Sequence, residues 1–374
     1  MLATEFYYVS SSEKIISVAD ALTQRPDIAA LGVVDEADQI VGIVVRKEFF
    51  TLLMRPYGRD VFHNRDITEI MAEPRSFYFD TNLFTIAEEI DEDMKRPGIS
   101  YYVLSNQKRE FKGIFSTQDM LIHLSNMTQM DIALARKLQS RMVKERELVV
   151  GSNFEFVSSS TTAKGVGGDF YSVKQYKEKH WIFSVCDVSG KGVAASVITS
   201  VLWGMMNFFD FDRGMGSFVK DMNEYIVRSF EGEKFVTGLF LLYDEATQDI
   251  TLCDMGHSYI YVFRDGKLHR LKNNQNNPPI GVVPDFEPSL STFRPRHGDT
   301  LLLTTDGLVE QNDMEGNEYS VERVAEILEA DPELPVESLC DLLNKDFERF
   351  RGQRHLHDDV TFSLIRFVPQ DVQL

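Results

Sequence analysis

Apolar positions change their rhythm three times along this chain. To about Asn126 they fall in short runs that occur twice. The first copy has a helical stretch around Ile15–Leu22, then the strand-like run Ala30–Leu–Gly–Val–Val–Asp35. A polar turn leads to Ile40–Val–Gly–Ile–Val–Val45 and a helical stretch from Lys47. The second copy reads Leu83–Met94 as helix, Ser100–Ser105 and Phe111–Phe115 as strands, and a helix from Thr117. Each copy predicts helix–strand–turn–strand–helix, with Pro56, Gly58 and Pro74 marking the break. From Met127 to Val149 proline and glycine are absent. Met127, Met130, Leu134, Leu138 and Met142 recur every three or four residues between charges, which predicts one amphipathic helix. Two readings of it stay open: a helix packed on its own domain, or a coiled-coil connector that dimerises.

From Gly151 to about Val368, β-branched runs dominate. Trp181–Val185, Thr237–Tyr243, Ile250–Cys253, Tyr259–Phe263, Thr300–Thr304 and Val360–Ile365 read as strands, with turn residues such as Asp265–Gly266 between them. Val193–Phe209, Ser217–Phe230, Val321–Ala330 and Val336–Phe350 read as helices. Strand-rich sequence with a few long helices predicts a layered α+β fold in which helices cover sheets.

A length of 374 residues suits two compact domains and a connector, with boundaries at 1–126, 127–149 and 150–374. The formal net charge of −19 repels nucleic acid and anionic membrane, so neither is expected as a partner. Cys186, Cys253 and Cys340 are far apart, which argues against a disulfide scaffold or a zinc site and fits a reducing, cytoplasmic setting. Met1–Ser10 carries no basic residue and does not read as a signal peptide. Gly192–Phe209 is long and apolar, but Ser196, Thr199, Ser200 and Asn207 interrupt it, so a buried core helix is expected.

Four aspartates share a setting, each at the end of an apolar run or in a glycine-rich turn. Asp169 sits in Gly165–Val–Gly–Gly–Asp–Phe–Tyr171. Asp187 ends Ile182–Phe–Ser–Val–Cys–Asp and opens Asp187–Val–Ser–Gly–Lys–Gly192. Asp306 ends Leu301–Leu–Leu–Thr–Thr–Asp, and Asp358–Asp359 precede Val360–Thr–Phe–Ser–Leu. Strand ends place side chains at the rim of a sheet. Carboxylates gathered there repel one another unless cations neutralise them. Hard divalent ions such as Mg²⁺ or Mn²⁺ want such oxygen donors. The chemistry that needs this cluster is hydrolysis at a two-metal site with the ions ~4 Å apart. A single Asp–Gly is ordinarily a turn; four such acids in one region carry the inference.

The ordered set Gly167–Gly–Asp–Phe–Tyr171, Asp187–Val–Ser–Gly–Lys–Gly192, Gly256–His257, Pro278–Pro–Ile–Gly281, Thr305–Asp–Gly307 with Glu310, and Asp358–Asp–Val–Thr361 resembles the SpoIIE-like branch of the PPM metal-dependent phosphatases. The resemblance covers Gly151–Val368. It implies an α-β-β-α sandwich with two Mn²⁺ or Mg²⁺ ions at the sheet edge. By that resemblance Asp187 bridges both ions and the Val188 carbonyl joins it. Asp169 holds the second ion, while Asp306 and Asp358 hold the first. The implied reaction is hydrolysis of phosphoserine or phosphothreonine on a protein, by two-metal activation of water. The implied substrate is a STAS-domain anti-anti-sigma factor, within a homodimeric enzyme. Ser172 and Ser189 depart from the pattern of many relatives. Lys191 reads either as a contact for substrate phosphate or as a solvated turn residue. His257, His355 and His357 are expected to be turn or packing residues.

The first region resembles a tandem CBS (Bateman) module, an α/β regulatory unit. Gly113–Ile–Phe–Ser–Thr–Gln–Asp119 fits its signature, which implies Ser116 and Asp119 as contacts for an adenine nucleotide. The first copy has Val45 and Glu48 at those places. Two rival readings remain beside a ligand-regulated phosphatase. One is an inactive phosphoprotein-binding regulator, and the other is a constitutive phosphatase on a purely structural CBS scaffold.

Overall fold

The structure, a computed structural model, describes residues 2–271 and 276–369. Met1, at the head of the first expected region, and residues 370–374, at the end of the third, lie outside the described residues. The chain divides into two compact units, Met1–Met130 and Asp131–Leu374.

In the first unit the doubled pattern becomes two three-stranded sheets. Ala30–Val34 pairs antiparallel with Ile40–Val45, and Tyr101–Ser105 with Phe111–Ser116. Both hairpins shift register at corresponding places, Val33/Val34 and Leu104/Ser105. Each sheet also holds a short parallel strand that the sequence pattern did not announce, Tyr8–Ser10 and Ser76–Tyr78. Three residues are too few for alternation to register. The helix Ile15–Gln24 buries Ile15, Val18 and Leu22 against Leu31, Val33 and Val44. The helix Leu83–Glu89 buries Ile86 against Tyr102, Leu104 and Phe115. Ala30, Ile43, Val103 and Ile114 form a core shared by the two copies.

The helix expected over Met127–Val149 is corrected by the structure. The helix runs Thr117–Gln139, and Arg146–Val150 is a strand paired with Phe154–Thr161. Spacing alone allowed a helix there. The open backbone edge of the neighbouring strand wins, because a ladder satisfies N–H and C=O groups on both sides. Met130, Leu134 and Leu138 are exposed on the helix at four-residue spacing, so the expected apolar seam faces outward.

The second unit is built on two antiparallel sheets. One runs in the order Ser291–Phe293, Asp249–Met255, Val236–Asp244, His180–Val188, Phe170–Lys177. The other runs Lys267–Arg270, Ile260–Arg264, Thr300–Thr304, Val360–Phe367, Phe154–Thr161, Arg146–Val150. Side chains alternate across each sheet. Phe183 and Val185 point inward and meet Phe156, Leu301, Leu303 and Ile365 of the facing sheet. Ile182, Cys186 and Val188 point outward, beneath the helices Val193–Phe208 and Met215–Phe230. On the other outer face Leu302, Phe362 and Leu364 meet the helices Ser320–Ala330 and Val336–Arg351. The layers are therefore α-β-β-α, a mixed α+β fold. Phe154–Thr161 escaped the sequence pattern because its second half is serine. Ser158 donates to the Phe362 carbonyl at 3.1 Å, and Ser160 meets Thr361 Oγ1 at 2.8 Å, so these hydroxyls are buried without cost to the strand. Among the described residues no helix is long and apolar enough to cross a membrane.

These limits generate a test of where the second unit begins. A fragment starting at Gly151 lacks the edge strand and leaves Phe154–Thr161 unpaired on one side. It is expected to melt at least about 5 °C below a fragment starting at Asp131, as read by circular dichroism. Equal melting temperatures would show the edge strand to be dispensable.

Candidate metal and catalytic site

Two turns bring the acids together. The ladder between Phe170–Lys177 and His180–Val188 pairs Cys186 with Phe170, so one step further sets Asp169 opposite Asp187. Gly168 makes this approach possible. A Cβ there would meet the Val188 carbonyl oxygen at 2.8 Å and that of Gly190 at 3.1 Å. On the facing sheet, Thr300–Thr304 ends just before Asp306, and Val360–Phe367 begins just after Asp358–Asp359. Gly307 lets these two ends touch, since a Cβ on it would lie 1.9 Å from the Asp359 carbonyl oxygen.

Asp187, Asp306 and Asp358 line one pocket of about 310 Å³, together with Val188, Ser189, Lys191, Phe235, Thr237, His257 and Tyr259. Asp169 does not line it. Its carboxylate is buried, accepts the Thr305 hydroxyl at 2.8 Å, and borders a smaller neighbouring cavity with Gln139 and Ser160. Asp169 still feels Asp187. Burial first, then the charges of Asp187 and Asp359, push its carboxyl well above the ordinary range. Asp187 is pushed up to about 7 by burial, then by Asp306 and Asp358. Asp306 is raised by burial and by Asp358. Lys191 answers part of this charge: its Nζ lies 2.8 Å from Asp358 Oδ2 and donates to the His357 carbonyl at 2.5 Å.

Asp358 and Asp359 separate by the alternation of an extended chain. Asp358 faces the pocket. Asp359 turns inward and accepts the N–H groups of Ala163 at 2.7 Å and Gly168 at 2.6 Å. It is thus a clamp on the glycine turn that carries Asp169. Gln139 clamps the same turn from the other side. Its Nε2 donates to the Gly167 carbonyl at 2.8 Å and its Oε1 accepts the Gly167 N–H at 3.0 Å. Sequence reasoning missed Gln139, Asp359 and Thr305 as parts of the site. Asp359 stood beside a named acid, and Thr305 lies within a named motif. Gln139 carries no signal in the sequence, because its partners are distant in the chain. Ser189 lines the pocket and its hydroxyl accepts the Phe235 N–H at 2.9 Å, whereas Ser172 pairs across the ladder with Ser184. His357 meets the site through its backbone, and its N–H donates to Gln311 Oε1 at 2.9 Å.

Among the described residues no three acidic, histidine or cysteine side chains converge, as they stand, tightly enough to hold an ion. The donor set nevertheless fits hard divalent cations. It offers oxygens from Asp187, Asp306 and Asp358 on one pocket, with Asp169 and the Val188 carbonyl beside Gly168. Burial and mutual repulsion leave these carboxyls in need of positive charge.

In the first unit, Ser116 and Asp119 satisfy each other. The Ser116 N–H and hydroxyl donate to Asp119 Oδ2 at 2.7 and 2.6 Å, and the Asp119 N–H donates back to Ser116 Oγ at 3.1 Å. This reciprocal pair caps the helix Thr117–Gln139. Thr4 adds a third donor to the same carboxylate at 3.0 Å. The unit's large cavity, about 1040 Å³, lies elsewhere, against Arg46, Lys47, Glu48, Arg55 and Tyr101.

The model of the family described as "Stage II sporulation protein E (SpoIIE)" matches residues 177–368, a stretch that holds Asp187, Asp306 and Asp358. Among curated proteins, the chain is 24% identical over 245 residues to "Phosphoserine phosphatase RsbP" of Bacillus subtilis, covering 64% of this chain and 58% of that one. It is 21% identical over 228 residues to "Protein IcfG" of Synechocystis, covering 53% of this chain and 36% of that one. The chain therefore spans less than two thirds of either relative. The "SiaA-PP2C domain of Pseudomonas aeruginosa" aligns with a TM-score of 0.55 at 16% identity, over 65% of this chain and 98% of that one. The RsbU and RsbW domains of Rv1364c from Mycobacterium tuberculosis align with a TM-score of 0.51 at 18% identity, over 61% of this chain and 63% of that one. Both are likenesses of fold.

The raised acids make a stability prediction. A carboxyl raised on folding stabilises the protein fully below its unfolded value of 3.8, and that contribution is lost as pH rises through about 7 for Asp187. Protein stripped of metal is expected to melt lower at about pH 8 than at about pH 6. Asp187→Asn is expected to raise melting at the higher pH by about 3 °C. Mn²⁺ should stabilise the wild type more at the higher pH and leave Asp187→Asn nearly unshifted. Scanning calorimetry with and without Mn²⁺ checks all three, and an Asp187→Asn protein that melts lower than wild type at the higher pH would refute the repulsion account.

Proposed function

We infer that this chain, which belongs to the stage II sporulation protein E (SpoIIE) family, is a protein-serine/threonine phosphatase whose second unit performs the hydrolysis. The observation that carries the reading is the pocket lined by Asp187, Asp306 and Asp358 at the meeting edges of two sheets. Support for a phosphoserine substrate comes from the relative named phosphoserine phosphatase. Asp187 would serve both of two divalent ions, Asp306 and Asp358 would hold the first, and Asp169 with the Val188 carbonyl would hold the second. Two divalent cations bound there would activate water and clamp a phosphoryl group. The protein's own part is positioning: Asp359 and Gln139 fix the turn under Asp169, and Lys191 steadies Asp358. The substrate class we assign is a phosphorylated STAS-domain protein, the partner that the motif resemblance implies.

The test is release of phosphate from phosphorylated STAS-domain proteins of the same genome, in the presence of Mn²⁺. Asp187→Asn is expected to lower the rate by about a hundredfold or more. Equal rates in the two proteins would sink the enzymatic reading and leave an inactive phosphoprotein binder.

We assign the first unit a regulatory role as a CBS-type module that takes an adenine nucleotide. The internal pairing of Ser116 with Asp119 moves the favoured place to the larger cavity, where Arg46, Lys47 and Arg55 supply positive charge for phosphate. Calorimetric titration with AMP, ADP and ATP is expected to give heat that Lys47→Glu weakens about tenfold or more and Asp119→Ala leaves unchanged. Absence of heat with all three would favour a purely structural scaffold.

A further inference from the structure

His257 is buried in the wall of the acid pocket, and both of its ring nitrogens are engaged. Nε2 lies 2.8 Å from the Thr304 carbonyl oxygen, and Nδ1 lies 3.0 Å from Thr237 Oγ1. These partners dictate the tautomer. A carbonyl can only accept, so Nε2 carries the hydrogen. In a neutral ring Nδ1 then accepts, and the Thr237 hydroxyl donates to it. Burial lowers the basicity of the ring, which agrees with a neutral imidazole.

The places of the two partners matter more than the bonds themselves. Thr237 lies directly opposite Asp187 in the ladder of the first sheet. Thr304 ends the strand of the second sheet that delivers Asp306, two residues on. His257 therefore spans the two sheets at their rim, from the neighbour of one acid to the strand of the other. Its own backbone is fixed: its N–H donates to Asp254 Oδ1 at 2.9 Å, and so does that of Ser258 at 3.2 Å. In the core between the sheets, contact is made by apolar side chains, which set a spacing without a direction. Two hydrogen bonds through one rigid ring set both.

We propose that His257 is a positioning residue that holds Asp187 and Asp306 at the separation the ions require, acting as a neutral Nε2–H ring that touches neither ion nor substrate. The proposal rests on the metal-site reading given above. It also removes His257 as a proton donor to a leaving group, because its one hydrogen is already given to Thr304.

The test uses the full chain stripped of metal, with Mn²⁺ uptake measured by calorimetry for wild type, His257→Leu, His257→Gln and Thr237→Val. His257→Leu is expected to weaken Mn²⁺ binding by about ten- to a hundredfold. His257→Gln, whose amide can donate to Thr304 and accept from Thr237, should stay within about threefold of wild type. Thr237→Val keeps the shape of the side chain, so it should fold as wild type does and still bind Mn²⁺ more weakly. A nitrogen-resolved NMR spectrum of the histidine rings should show His257 protonated at Nε2 alone. Wild-type affinity in both Thr237→Val and His257→Leu overturns the positioning role while leaving the metal site intact. A wild type that takes up no Mn²⁺ overturns the metal-site reading and this role together. A ring protonated at both nitrogens near about pH 7 overturns the neutral bridge.

Discussion

Carboxylates held close together with little water around them repel, and the second unit is arranged about that repulsion. Asp169, Asp187 and Asp306 are all raised above the ordinary carboxyl range for the same first cause, burial, and then by the charge of neighbouring acids. Apolar sheets could not bring such groups together unaided. The chain does so through glycines that let backbones approach and through donors that hold each acid where it stands. Lys191 offsets part of the charge at Asp358. The remainder is repulsion that the protein's own side chains leave unanswered.

The polar groups around the acids form a frame rather than a second catalytic set. Thr305 joins Asp169 of one sheet to the backbone of the other, since it donates to Asp169 and accepts the Thr361 N–H at 3.1 Å. Thr304 donates to the Thr361 carbonyl at 3.1 Å, and Ser160 meets the Thr361 hydroxyl. His257 makes a parallel link from Thr237 to Thr304. Sheet edges ordinarily present unpaired backbone groups. Here hydroxyls and one imidazole satisfy several of them.

Much of this was legible in the amino-acid sequence. Long strands such as Val236–Asp244, covered on both faces, were announced by their apolar run, and amphipathic helices such as Val336–Arg351 by their period. The doubled pattern of the first region became two matching hairpins. Failures share a cause. Arg146–Val150 read as helix because apolar spacing does not register pairing, and the hairpin ladder to Phe154–Thr161, directly after it, decided the matter. Phe154–Thr161 hid behind serines whose partners come from the far end of the domain. The named acids stood out because motif and strand end coincide at each. Gln139 did not, since a single amide acquires its role from Gly167 and Thr199 alone. Ser116 and Asp119, named from a motif, meet each other across the start of the helix Thr117–Gln139.

The adjacent aspartates at 358 and 359 are the same letter written twice, yet they answer to different pressures. At 358 what matters is net charge facing an open pocket. At 359 what matters is the number of acceptor atoms, since two separate N–H groups from one loop are received there on different oxygens. An amide would fail at the first position for want of charge and at the second for want of a second acceptor. Evolution can therefore explore the two sites along different axes. A comparison that aligned the pair one residue out of step would exchange a question of electrostatics for one of loop shape.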